Sequence, residues 1–173
     1  MLSWFMVRLH VDPRVQNYRP SPASWTAITN RFRGVDGDVY LLPRSDADRA
    51  LGRVSPPYAF RGFTRGTKSF LFADSTETPD SLAWLLAHEL AHRLVDASPV
   101  LDQAFIEAKP KHLDPRSDAF HQVDAEERWC DGIATSLLGT TYDRSWWRAR
   151  TPRSTQYGGL VVDFDPAGCS RCC

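Results

Sequence analysis

Neither sign of charge is in excess in this chain: 21 lysines and arginines face 21 aspartates and glutamates, for a formal net charge of zero. No global field steers it toward nucleic acid or an anionic membrane, and neither is expected as a partner. Long hydrophobic runs are missing as well. The apolar start, Met1 to Val7, is too short for the h-region and cleavage site of a secretory leader. No stretch approaches the roughly 18 apolar residues of a membrane span. Cysteine is scarce, at four residues, and three of these, Cys169, Cys172 and Cys173, fall in the last five positions. That is no disulfide framework for a secreted domain, so a reducing, cytoplasmic setting is expected. Cys169 and Cys172 have the spacing of half a zinc knuckle, but no second ligand pair stands nearby to complete four-coordination.

What is present is a chain of 173 residues with 42% hydrophobic content and six tryptophans, enough for one well-buried core and too little for two catalytic domains. Its most informative run is His88-Glu89-Leu90-Ala91-His92. Four residues make about one helical turn, so both imidazoles leave one face of a helix, with the glutamate turned roughly 100° away, toward a metal-bound water. The helix itself is signalled by Thr78 as N-cap, Pro79 in the first turn and Asp80 at the positive end of the dipole, with closure after Val95. A core helix whose histidines merely bond to backbone is the bland alternative, and the i,i+4 pair with an intervening glutamate argues against it.

A catalytic zinc takes three protein ligands and keeps a fourth position open. Helical periodicity from Asp124 to Leu138 puts Glu127 at the centre of an apolar stripe formed by Phe120, Val123, Cys130, Ala134 and Leu138. A carboxylate buried there must be neutral, paired or bound to metal, which makes Glu127 the third candidate ligand. An N-terminal capping box with Asp124 is the competing explanation. Asp131, one turn on, is placed to accept the free ring N–H of a zinc histidine. Glu126 falls at the stripe's edge and is expected to be solvated. His112 is the rival third ligand and His121 a weaker one, although the polar, proline-bounded loop around His112 favours exposure.

The order of elements is α+β. A helix from Ser21 to Arg33, a strand at Asp38 to Leu42, a short helix from Ser45 to Leu51 and a hairpin of Tyr58–Thr64 with Thr67–Ala73 lead into the zinc helix. The segment Gly159 to Phe164 is a further strand candidate. The expected division is a helical extension over residues 1–35, a metallopeptidase core over 36–150 and a mobile, cysteine-bearing tail over 151–173. The fold expected is a single zincin-like domain with a small, mostly antiparallel sheet packed on the His88–His92 helix and the second ligand-bearing helix. The strand Thr67–Ala73 is the one expected to accept an extended substrate by β-augmentation. Trp146 and Trp147 among arginines could stack on single-stranded nucleic acid, but core closure with snorkelling arginines is the more common use.

Ala87 to His92, followed by a later helix carrying Glu127 and Asp131 before Ile133-Ala134 and Leu137-Leu138, resembles the ImmA/IrrE family of zinc metallopeptidases. The likeness spans about residues 36–139. Cys130, Asp131 and Ile133 stand where the family pattern has Ala, Asn and Phe. The resemblance implies His88, His92 and Glu127 as zinc ligands, Glu89 as general base, and a helix-turn-helix repressor as the protein substrate. Glu127 followed four residues later by Asp131 is also similar to the thermolysin arrangement. The function expected is a Zn2+-dependent endopeptidase. Two alternatives stand beside it: an SprT-like protease with His112 as third ligand, and a non-catalytic zinc-stabilised interaction or phage accessory protein.

Overall fold

The computed structural model describes residues 6–47, 61–113, 123–140 and 171–172. They form a mixed α+β architecture: an open sheet of four principal strands with helices packed against it. The strands are β1 (Val7–Val11), β2 (Gly37–Pro43), β3 (Gly62–Arg65) and β4 (Lys68–Ala73). In space they run β1-β2-β4-β3, and a two-residue strand, β5 (Arg171–Cys172), adds to the free edge of β3. The helices are α1 (Pro22–Arg31), α2 (Pro79–Asp96), α3 (Pro99–Ala108) and α4 (Ala125–Leu138).

Strand β2 shows the sequence logic of the sheet. Its residues alternate in burial, with Val39 and Leu41 fully enclosed and Asp38 and Tyr40 on the other face. The inward set joins Val7 and Leu71 of the neighbouring strands and packs on Leu82, Leu86, Leu90 and Ala134 from the helices. On the opposite face His10, Tyr40, Phe70 and Phe63 stack in register across all four strands, with ring centroids 4.8 to 5.2 Å apart.

The sheet departs from the expected mostly antiparallel pattern. β1 pairs with β2 and β2 with β4 in parallel, and only the β3–β4 hairpin and the added β5 are antiparallel. Parallel neighbours need a crossover, and α1 supplies it between β1 and β2. Residues 7–11, expected within a helical extension, are thus an integral strand of the sheet. The hairpin turn is Gly66-Thr67, with Gly66 at φ 56°, one residue later than the pattern suggested. Because β4 is flanked by β2 on one side and β3 on the other, it has no free edge for a substrate, contrary to the expectation for Thr67–Ala73. Of the tail expected to be mobile, residues 171 and 172 are paired with β3. The short helix expected from Ser45 is described only at its start, as a 3-10 turn over Arg44–Asp46. The strand candidate Gly159–Phe164 and the Trp146-Trp147 segment lie outside the described residues.

Helix α2 forms where its signals place it. Thr78 and Ser81 make a reciprocal capping box, Pro79 sits at the first position and Asp80 lies in the first turn. From Leu82 to Arg93 every residue is buried, because the helix lies between the sheet and α4. α4 starts at Asp124, whose Oδ1 accepts from the backbone N–H groups of Glu126 and Glu127, and stops at Gly139 in the left-handed region at φ 68°. The described residues contain no helix long and apolar enough to cross a membrane.

Candidate metal centre

The face of α2 turned toward α4 carries His88 and His92, both fully buried, and the first turn of α4 brings Glu127 against them. The two Nε2 atoms are 3.1 Å apart. Glu127 Oε2 is 3.4 Å from His88 Nε2, and Oε1 is 3.5 Å from His92 Nε2. One carboxylate thus reaches both imidazoles, through different oxygens. These three residues form a group whose ligand atoms lie close enough together to hold a metal ion. Tetrahedral zinc with nitrogen and oxygen ligands at about 2.0 to 2.2 Å requires ligand-to-ligand edges of about 3.3 to 3.5 Å. The 3.4 and 3.5 Å separations, which run to different oxygens of Glu127, match such an edge, and the 3.1 Å between the two Nε2 atoms is slightly shorter than one.

Each histidine is backed by a carboxylate on its other nitrogen. His88 Nδ1 is 2.9 Å from Asp131 Oδ1, and His92 Nδ1 is 2.7 Å from Glu126 Oε1. Such partners hold the ring in orientation and leave the Nε2 lone pair for a cation. The geometry places Asp131 where its spacing suggested, but it corrects the reading of Glu126. This residue is buried, 2% exposed, with its carboxylate turned inward to His92. The stripe argument missed it because helical periodicity ranks positions by distance from an apolar centre and cannot see a partner on another helix. A second group that could hold a metal, His92, Glu126 and Cys130, shares this histidine through Nδ1. Burial, then the surrounding carboxylates, push the Cys130 thiol well up, so it stays protonated beside Nδ1 at 3.5 Å.

The surrounding carboxylates favour positive charge on His88. Burial opposes charge on His88, yet hydrogen bonding to Asp131 and Glu127 and the charge of both outweigh it, raising the ring to about 9. Trp84 stacks on His88 with centroids 5.4 Å apart, and its indole N–H donates to Thr135 Oγ1 at 3.1 Å, which ties the ring stack to α4.

Glu89 points to the sheet instead. Thr64 Oγ1 on β3 donates to its Oε2 at 2.6 Å. Its Oε1 is buried and has no hydrogen-bond partner among the described residues. Burial is the largest influence on this carboxyl and raises its affinity for a proton above the ordinary range. Gly62 makes room for it: a Cβ at that position would lie 2.8 Å from Glu89 Oε1 and 3.1 Å from the Phe70 carbonyl. Neither Thr64 nor Gly62 carried a recognisable signal in the sequence, since both act through a strand 25 or more residues upstream of Glu89.

The rival ligands are not gathered here. His112 is exposed and belongs to neither metal-capable group among the described residues, and His121 lies outside them. Asp124 caps the backbone of Glu126 and Glu127, so capping and ligation coexist: the backbone of Glu127 is capped while its carboxylate faces the histidines. No protein-family model, curated protein or solved structure matches the chain.

Proposed function

We propose that this protein is a zinc-dependent peptidase with a zincin-like site, in which His88, His92 and Glu127 hold the ion and Glu89 is the general base. The observation that carries this reading is the convergence of two buried imidazole nitrogens and one buried carboxylate, close enough together to hold one ion. Among the described residues three buried ligands converge, the composition of a catalytic zinc site, whereas a structural clamp closes its coordination with a fourth side chain. When bound, zinc supplies Lewis acidity, acidifying water to near neutrality and polarising a carbonyl oxygen.

The residues of the chain supply the remainder. Thr64 fixes one oxygen of Glu89 and leaves the other, Oε1, without a partner among the described residues, in position to take a proton from water and return it to a leaving amine. Desolvation raises this carboxyl's proton affinity, which favours its taking the proton. Asp131 and Glu126 keep the two imidazoles oriented. Exposed His112 leaves the SprT-like ligand set without support.

The test combines metal content with hydrolysis. Purified protein is expected to carry one zinc per His88-His92-Glu127 site, and Glu89→Gln is expected to retain it while losing hydrolysis of an unstructured protein such as casein. Zinc loss in Glu89→Gln, or turnover equal to wild type, would remove Glu89 from the role of general base.

A further inference from the structure

The sheet has two outer edges, and they differ in kind. β1 bears Arg8 and His10, both bonded to Asp38 on β2, the charged decoration that keeps an edge from recruiting other chains. β3 has the sequence Gly62-Phe63-Thr64-Arg65, its first three residues buried and uncharged, and it is the edge beside Glu89. Direction of hydrogen bonding alternates along a strand. Phe72 N donates to Arg61 O at 2.8 Å, so residue 61 is turned toward β4. Gly62 and Thr64 therefore present their backbone N–H and C=O groups outward. These are the two residues that contact, or make room for, the Glu89 carboxylate.

That edge is taken by the chain itself. β5 lies antiparallel on β3, with Thr64 opposite Arg171 and Phe63 opposite Cys172. We propose that the outer edge of β3 is the docking edge for an extended peptide at the metal centre, and that residues 171–172 occupy it as an intramolecular competitor of substrate. The consequence for catalysis rests on the peptidase reading above; the docking does not. Main-chain pairing is tolerant of sequence, so the bonds that seat Arg171 opposite Thr64 are equally available to a substrate strand. A two-residue ladder is weak in itself and holds the edge through the high effective concentration of a tethered segment. Substrate displaces it when its neighbouring side chains add contacts that two residues cannot make.

The experiment compares the intact chain with one ending at residue 167 and with full-length Arg171→Pro, which lacks the N–H opposite Thr64. Amide exchange at Gly62, Phe63 and Thr64 is followed by NMR, and casein hydrolysis is measured on the same zinc-loaded samples. Both variants are expected to speed exchange at Thr64 by about tenfold or more, to leave Phe63 little changed because it bonds inward, and to raise hydrolysis. A synthetic peptide of residues 168–173, added under reducing conditions to the shortened chain, is expected to restore protection and lower activity. Unchanged exchange at Thr64 in both variants would overturn the docking, and faster exchange with equal hydrolysis would overturn the competition. Faster exchange with no hydrolysis by any of the three proteins would uphold the docked strand and defeat the peptidase reading instead.

Discussion

Two buried polar clusters lie along α2, and they are built on opposite plans. At its N-terminal end the Arg61 guanidinium sits among carboxylates and a hydroxyl: Nη1 is 2.5 Å from Glu77 Oε1 and 3.3 Å from Asp74 Oδ1, and Nη2 donates to Thr76 Oγ1 at 2.8 Å. Ser81 of the capping box donates to Glu77 as well. In this cluster the centre is filled by the protein's own cation. Around the histidines no such cationic side chain is placed: Nε2, Nε2 and a carboxylate converge on one point among the described residues, each histidine being backed from behind by another carboxylate. The first plan closes a fold with fixed charge. The second gathers buried side chains that could hold a metal ion.

The comparison breaks most severely at the histidines. His92→Ala removes a ligand and the ring that Glu126 orients, and zinc is expected to fall below detection by elemental analysis, with hydrolysis lost alongside it. Retained zinc in that variant would show that the three-residue group is not the metal site. Arg61→Ala is expected to act on the other axis. It strands a Glu77 carboxylate whose side chain is 2% exposed, at a cost of about 3 to 5 kcal/mol in chemical denaturation, while zinc per folded molecule stays at one. Arg61→Met with Glu77→Gln should recover much of that loss. If the single variant instead lost its metal with stability unchanged, the separation of the two clusters would be wrong.

A finer comparison sets the two backing carboxylates against each other. Glu126→Ala and Asp131→Ala are each expected to weaken zinc binding by about 10- to 100-fold in competition with a chelator, without abolishing it. The buried Glu126 should show the larger effect, since Asp131 is 32% exposed and water can replace it. Gly62→Ala should cost about 1 to 3 kcal/mol through overpacking and lower turnover further than stability, because the added carbon meets Glu89 Oε1. Wild-type turnover in Gly62→Ala would mean that Glu89 does not work from its observed position.

The smallest effect belongs to the exposed sheet edge. Hydrogen bonds from Arg8 and then His10 hold the Asp38 carboxyl at about 2 in the folded chain, below its ordinary 3.8. A depressed folded value stabilises the fold above about pH 4 and loses that contribution as pH falls from there toward 2. The gap in melting temperature between wild type and Asp38→Asn is therefore expected to be small at pH 6 and to close on acidification. A gap that widened toward pH 2 would contradict the assigned sign.

Much of this architecture was legible in the chain because its signals are local. Thr78, Pro79 and Asp80 start α2, helical period marks α4 from Asp124 to Leu138, and a spacing of four puts His88 and His92 on one helical face, since helix geometry is set within one turn. Periodicity also marked Glu127 as a carboxylate in an apolar stripe. What remained hidden depends on residues far apart in sequence. β1 was absorbed into an expected helical extension because five residues of mixed polarity say little until β2 lies beside them. Glu126 looked solvated because its partner, His92, is 34 residues away on another helix. Thr64 and Gly62 became part of the site only when β3 was laid against Glu89. The helices and the ligand chemistry were thus determined by the sequence through short-range sterics and hydrogen bonding. The parallel strand order, the carboxylate behind His92 and the edge shared by β3 and residues 171–172 were decided by long-range packing, in which a residue's role is set by what folds against it.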